Sequence, residues 1–319
     1  EKPGGLWVTH MKEVLFYRNF KKYQGGHLKV WDYFLHVLSS PDHTAKVRFS
    51  ANSVWDERNP WREMRSYTIG PDTPANPDIL FLDGRDWESL PEVERESSRV
   101  PIINFIQHVR HGFEDNPRYA FLRHRAIRIC NGEETAESIR STGRVNGPIF
   151  TIPYGLETEC FPKPIPFAEK ELDFLIVAIK QPKLGRRLRR LLWRPGRRNH
   201  LLVDPVLRPD FLALLNRARV SVFLPHQTEG FYIPALEGMA LDTIVVCPDC
   251  VGNRSFCLPG RNCFRPQLST GAIRRAAEAA GRLTPSEVST CLANARETFA
   301  RHDLMKERKD FLAILNQVD

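Results

Sequence analysis

The sequence predicts an α/β protein of two domains, each built on a mainly parallel sheet. Three observations carry this. Short apolar runs alternate with helical patterns along most of the chain, the arrangement that gives parallel strands joined by helical crossovers. A length of 319 residues exceeds the size at which a single core stops growing. Residues 223–240 read as a strand, a polar loop and a helix, a unit that sets side chains at the carboxyl end of a strand, where open α/β sheets bind ligands.

In the first half, residues 11–155, apolar runs fall at 14–16, 45–49, 79–82, 102–106, 127–130 and 149–152, with helical patterns at 29–38 and 133–141. Residues 154–170 carry Pro162, Pro164 and Pro166 and read as a linker. In the second half, 156–302, strands are expected at 172–178, 201–203, 220–224 and 244–247, with a helix at 209–217. After Ser269 the pattern turns helical, and residues 303–319 form a terminal helix. Residues 1–10 begin without methionine and end in His10, just before Met11; they read as a cloning remnant or as native sequence and are set aside.

Composition narrows the class. An apolar fraction of 42% with 26% charged residues is that of an ordinary soluble globular protein. No apolar run reaches the ~18 residues of a membrane span and no signal peptide is visible. A cytoplasmic protein is expected, with peripheral contact at the inner face of the membrane as an option. Seven cysteines in such a chain argue against a disulfide framework. A dehydrogenase is disfavoured because no Gly-x-Gly-x-x-Gly follows any expected strand.

The chemistry concentrates between residues 224 and 240. Pro234 sits where a first helical turn accepts proline, its missing N–H having no intrahelical partner there. Glu229 then lies in the loop and Glu237 on the helix. A helix start offers unpaired backbone N–H groups to an anion, most often a phosphate. Singly, each glutamate reads better as a solvated carboxylate. Their shared setting sets them apart: Pro225, Glu229-Gly230-Phe231, Pro234, Glu237, Met239-Ala240 and the strand Ile244-Val245-Val246.

That setting resembles the sugar-nucleotide motif of retaining glycosyltransferases of the GT-B fold, the group of sucrose and glycogen synthases and many bacterial polysaccharide glycosyltransferases. Gly238 stands where alanine is usual, and Leu241-Asp242 replaces a small residue followed by glycine. The resemblance implies two Rossmann-like domains facing across a cleft, an acceptor-side domain first and a nucleotide-sugar domain second, with the terminal helix crossing back to the first. It implies that Glu229 contacts sugar hydroxyls, that Glu237 holds the ribose, and that the N–H groups of Gly230 and Phe231 face the diphosphate. Lys180 and Lys183 would be the diphosphate cations, with Arg186 a rival. The Gly25-Gly26 pair, otherwise a plain turn after the first strand, would let the backbone approach the diphosphate. His108, after the strand at 102–106, would lie near the transferred sugar, with His111 as its competitor.

The implied activity is transfer of a hexosyl group from a nucleoside-diphosphate sugar to a hydroxyl of a saccharide, a glycolipid or a small molecule. A UDP-sugar is favoured, a GDP-sugar next. Retention is expected, and with no Asp-x-Asp pair no catalytic metal or other cofactor. A nucleotide-sugar epimerase and a non-catalytic nucleotide-sugar-binding protein are the competing readings.

Two clusters lie outside this scheme. Residues 186–198 hold seven arginines with leucines and Trp193 interleaved, beside a whole-chain net charge of +8. They read as a site for anionic membrane or as a basic helix whose leucines face the core. No nucleic-acid module accompanies them, so no nucleic-acid partner is expected. Cys247, Cys250, Cys257 and Cys263 begin with a Cys-x-x-Cys pair of zinc-ligand spacing, and read either as a structural zinc site or as small buried apolar side chains.

Overall fold

The structure, a computed structural model, describes residues 11–21 and 25–318, so the segment 1–10 lies outside the described residues. The chain divides into two compact units. One runs to Ile152 and takes in the chain again from Glu307; the other is Pro153–Lys306. The divisions read from the sequence stood at 155 and 302.

The first unit holds strands β1 (Lys12–Arg18), β2 (His43–Phe49), β3 (Thr68–Ile69), β4 (Ile79–Asp83), β5 (Ile102–Ile106), β6 (Ile127–Cys130) and β7 (Ile149–Thr151). Its helices are α1 (Gly25–Leu38), α2 (Glu92–Glu96) and α3 (Glu133–Arg140). The strands form one sheet in the order β3-β2-β1-β4-β5-β6-β7, every pair parallel. The second unit has β8 (Leu172–Val177), α4 (Pro182–Leu191), β9 (Asn199–Leu202), α5 (Arg208–Asn216), β10 (Ala218–Phe223), α6 (Ile233–Ala240), β11 (Ile244–Val246), α7 (Thr270–Ala280) and α8 (Pro285–Phe299). Its sheet is again parallel, in the order β11-β10-β8-β9. The terminal helix α9 (Leu304–Leu315) belongs to the first unit from Glu307 onwards. The expected linker at 154–170 contains a 3-10 turn, Phe167–Glu169.

Strand periodicity decides what each sheet buries, because successive side chains point to opposite faces. On one face of the first sheet Phe16, Phe81 and Phe105 meet Tyr33 and Phe34 of α1 and Phe311 of α9, with the Tyr33 and Phe311 rings 4.7 Å apart. On the other, Leu15, Tyr17, Leu80 and Leu82 pack with Trp87 and Phe121. In the second unit Ile176, Val220, Val222 and Val246 pack beneath Leu188 and Leu192 at the α4 end, Ile273 and Ala277 of α7 and Leu292 of α8. Leu188 and Leu192 of the arginine-rich stretch therefore serve the core, whereas Leu191 is exposed.

One ionic group lies inside the first unit. Lys29 of α1 is fully buried and lies 2.8 Å from Glu307 and 2.7 Å from Asp32, while His36 Nε2 lies 3.1 Å from Glu307. The network fastens α9 to α1, since a buried charge is tolerated only with its partners in place. Exchanging Glu307 for glutamine keeps the shape and removes the charge opposite Lys29. Urea denaturation should show a loss of about 3 kcal/mol, the lower end for a broken buried pair because Asp32 remains.

Five histidines of this unit, His27, His36, His43, His111 and His124, are held below their ordinary value of 6.5, in each case chiefly by burial. His27 falls to about 3, with Arg18 adding to the effect of burial. The unfolded chain protonates these rings near 6.5 while the folded one resists, so their contribution is complete above that pH and is lost as the pH falls below it. Two acids act oppositely: Asp86 is pushed up to about 7 by burial, against Arg18, and burial raises Asp32. Five against two leaves a net loss. Between pH 7.5 and pH 5.5 calorimetry should find the first unit's midpoint lowered; an unchanged midpoint contradicts the neutral-histidine account.

Candidate functional site

Strand order determines which strand ends stay uncovered. In the second unit the chain leaves β8 for β9 on one side and later returns to β10 on the other. The connections after β8 and β10 thus diverge, and ligands of open α/β sheets enter such a gap. Lys180, just past β8, and Glu229, in the loop after β10, meet there, with Nζ 2.5 Å from Oε2. The carboxylate side chain is 13% exposed and the ammonium side chain 41%, so the pair faces solvent through its cation. Lys180 also stands 5.6 Å from the centre of the Tyr232 ring, a cation–π contact. Gln181 donates from its side chain to the Pro225 carbonyl, joining the β8 exit to the same loop.

Glu237 has a different partner. Pro234 lies in the first turn of α6, as expected, and the next turn turns Glu237 inward until it is almost fully buried. Arg208, which opens α5, approaches it from the neighbouring crossover at 3.0 Å. Burial raises the Glu237 carboxyl above its ordinary value, and Arg208 opposes the rise. Each glutamate of the motif therefore has its own cation: Lys180 for Glu229, Arg208 for Glu237.

The loop carrying Glu229-Gly230-Phe231 is fixed from below. Gly252 packs so closely that a Cβ there would stand 2.6 Å from Phe231 N and 2.7 Å from the Glu229 carbonyl oxygen. Tyr232 N donates to the Gly252 carbonyl at 2.9 Å, and Val251 N to that of Gln227 at 3.0 Å. The Phe231 ring lies 4.9 Å from Tyr154, 5.0 Å from Phe256 and 5.5 Å from His302, an aromatic anchor within the second unit.

The turn that presents Gly252 contains the cysteines. Asn253 donates from Nδ2 to the Pro248 carbonyl at 2.8 Å and to Cys247 Sγ at 3.1 Å, and accepts from Cys250 N at 3.3 Å. Cys247, Cys250, Cys257 and Cys263 are all buried. Hydrogen bonding to Cys247 and burial raise the Cys250 thiol; burial, with hydrogen bonds to Cys247 and Cys263, raises Cys257. Among the described residues no group of three or more His, Cys, Asp or Glu side chains is placed to hold a metal ion, these four thiols included. Their visible role is to shape the turn under the Glu229 loop.

Of Lys180 and Lys183, expected on a diphosphate, and their rival Arg186, Lys180 is the one brought to Glu229. Lys183 and Arg186 lie exposed on the first turns of α4.

The first unit has its own reversal, between β1 and β4. Arg18 ends β1 and Asp83 ends β4, and they lie 3.3 Å apart, with Asp86 3.2 Å from the same guanidinium nitrogen. Gln107 donates to Asp83 at 2.9 Å and to the Gly26 carbonyl at 3.2 Å. Gly25-Gly26 form the first turn of α1 rather than the loop before it, which corrects the sequence reading. The turn lies beside Gln107, whose side chain a Cβ on Gly26 would approach to 3.2 Å. His108 follows β5 and caps the next 3-10 turn, its Nδ1 accepting from Arg110 N at 3.1 Å. That bond puts the proton of a neutral ring on Nε2. His111 is buried and held well below its ordinary value by burial and Arg118, and is a core residue.

Sequence reasoning missed Arg18, Asp83 and Arg208. Arg18 and Asp83 matter because the strand order reverses between them, which needs the topology. Arg208 comes from a neighbouring connection, and its one local signal was an Arg-Pro at a helix start; the loop 251–256 resembles one that the family keeps near the donor, but the seat Gly252 makes under Glu229 needs the structure.

The chain matches no protein-family profile and no curated protein. Solved structures do match. HepE from Anabaena, crystallised with UDP and glucose, aligns with a TM-score of 0.75 at 13% identity over 96% of this chain and 100% of its own. Sucrose-phosphate synthase from Thermosynechococcus elongatus gives 0.71 at 11% identity, over 96% of this chain and 98% of its own. A glycosyltransferase from Rickettsia africae gives 0.64 at 12% identity, over 95% of this chain and 97% of its own. The fold is thus that of GT-B glycosyltransferases, with parallel sheets of seven and four strands.

The Gly252 contact is open to a stability test. In Gly252→Ala the added methyl meets backbone on both sides, and urea denaturation should show a loss of about 1–3 kcal/mol. Gly271→Ala, in the first turn of α7 with only the tip of the Arg275 side chain nearby, should instead stabilise by about 0.5–1 kcal/mol. Equal effects would refute a tight seat under the Glu229 loop.

Proposed function

We propose that the protein is a retaining glycosyltransferase. It moves a hexosyl group from a nucleoside-diphosphate sugar, a UDP-sugar before a GDP-sugar, to a hydroxyl of a saccharide, glycolipid or small-molecule acceptor. The observation that carries this reading is the Lys180–Glu229 pair at the strand reversal of the second unit, on the motif that ends at Glu237. Anabaena HepE, of similar fold, was crystallised with UDP-glucose as well.

On this reading the diphosphate draws the Lys180 ammonium towards itself and frees Glu229 for sugar hydroxyls. Lys180 then stabilises the charge that develops on the departing phosphate oxygen. Glu237, with Arg208 on one side of its carboxylate, accepts from the ribose hydroxyls. Lys183 and the N–H groups of Gly230 and Phe231 add to the diphosphate contacts. The first unit takes the acceptor, with His108 and the Gly25-Gly26 turn at the carboxyl ends of its strands. The anomeric carbon loses its bond to the diphosphate oxygen and gains one to the acceptor oxygen on the same face. The acceptor's proton passes to the departing phosphate, giving a nucleoside diphosphate and a glycoside.

Thermal-shift screening of nucleoside diphosphates and their sugars, followed by transfer assays on the hits, tests this directly. Glu229→Ala should lower transfer about 100-fold while leaving the shift with free UDP nearly intact. Glu237→Gln should weaken the UDP shift itself. Excess chelator should leave transfer unchanged, and the anomeric coupling in the product should match that of the donor. Turnover of the sugar nucleotide without any acceptor would point to an epimerase instead. Binding without turnover would leave a nucleotide-sugar-binding protein.

A further inference from the structure

The arginine-rich stretch is not absorbed by this function. Two of its leucines belong to the core: Leu188 and Leu192 are buried against the sheet. What remains outside is a face built by α4 and α7, which lie side by side on the same side of the second sheet. Arg186, Arg189, Arg190 and Arg194 are exposed on or just after α4, and Arg274 and Arg275 on α7. No Asp or Glu occurs in residues 182–198, and α7 has Glu278 alone.

Glu278 is nearly buried and marks the seam. Arg194 lies 3.1 Å from it, Arg197 3.3 Å and Arg282 3.6 Å. One carboxylate is thus shared among three guanidinium groups, so the seam stays strongly positive. A groove of about 360 Å³ opens along it, lined by Arg194, Arg274, Arg275 and Arg282 with Glu278. Beside it two apolar side chains face solvent, Trp193 at 68% exposure and Leu191 at 37%. An exposed tryptophan among arginines is the composition of an interfacial anchor, its amphipathic ring seated at the headgroup level.

We propose that the α4–α7 face docks the protein on anionic lipid bilayers. The arginines would contact headgroup phosphates, Trp193 and Leu191 would enter the interface, and the seam groove would take one phosphate. Position favours this over a role in the nucleotide site. Arg197, 3.3 Å from Glu278, stands 4.9 Å from the centre of the Phe174 ring near the start of β8, so the Glu278 end of the seam lies by the amino ends of the strands. Lys180 and Glu229 lie past the carboxyl ends. The groove is therefore apart from the candidate donor loop, and the proposal does not rest on the assigned activity.

The test is co-sedimentation of the whole protein with vesicles of phosphatidylcholine alone and of phosphatidylcholine with 30% phosphatidylglycerol, on the order of the charge of a natural anionic leaflet. Binding is expected to the anionic vesicles at low salt, to fall steeply by about 0.5 M salt, and to be absent from neutral ones. Arg186→Glu with Arg190→Glu, and separately Arg274→Glu with Arg275→Glu, should each lower partitioning by about tenfold or more. Trp193→Phe should abolish the quenching of tryptophan emission by brominated lipid seen in the parent. These residues are solvent-exposed, and unchanged circular dichroism and melting confirm that the variants fold. The proposal is overturned by equal binding to neutral vesicles, by charge reversals without effect, by brominated-lipid quenching that survives in Trp193→Phe, or by displacement from vesicles with millimolar inorganic phosphate. Preference for single-stranded RNA over anionic vesicles at 0.15 M salt would likewise assign the face to nucleic acid.

Discussion

A parallel sheet leaves its strand ends uncovered only where neighbouring strands send their connections in opposite directions, and both units are organised around that constraint. In the first the reversal lies between β1 and β4, in the second between β8 and β10. Each gap is occupied by a cation facing a carboxylate: Arg18 with Asp83, and Lys180 with Glu229. Charge gathers there because the strand ends carry no covering helix, so polar groups can be partly dry without losing all contact with water. The two pairs nevertheless differ. Arg18 is sealed in with two carboxylates and a histidine, a fixed arrangement. Lys180 remains 41% exposed, which leaves it able to change partners.

That difference fits a division between holding and reacting. Glu237 is buried while Arg208 keeps 20% of its side chain exposed, and removing the cation would leave a buried carboxylate without its partner, so this pair is the more fixed of the two. Glu229 belongs to a loop held by backbone contacts from Gly252 and by an aromatic cluster around Phe231. Its backbone is fixed, while its side chain is held by the half-exposed Lys180 and by a long bond of 3.4 Å from His226 N. Preorganised backbone with an exchangeable ion pair suits a site that must accept and release an anionic ligand.

Much of the strand framework was readable because buried parallel strands are continuous apolar runs. β5 and β6 begin and end where the runs Ile102–Ile106 and Ile127–Cys130 do. β3 escaped because Thr68–Ile69 is too short to show a pattern. α1 begins earlier than its apolar stripe because the glycines of its first turn add none. Whether the leucines of the arginine-rich segment face the core was left open, and the burial of Leu188 and Leu192 shows that these two do. The motif residues of the candidate site were visible as a local string, whereas their partners were not. Arg208 and Glu237 belong to successive helices that meet only after folding. Arg18 carries no sign in its own neighbourhood that its strand borders the reversal.

Asp242 shows how a departure from a familiar pattern can keep the backbone it replaces. The resembled family has glycine at this position, and here the residue has φ of 54°, the one non-glycine among the described residues with positive φ. A left-handed conformation costs an L-residue roughly 1–2 kcal/mol, least for aspartate and asparagine. The compensation is visible: Arg296 of α8 grips both Asp242 oxygens, at 2.7 and 2.6 Å. The turn after α6 thus keeps the course a glycine would give it, and gains a bidentate tie to α8 that a glycine could not make. Because that turn leads from Glu237 into β11, the tie steadies the exit of the motif helix, so the substitution moves the demand from backbone freedom to a side-chain contact.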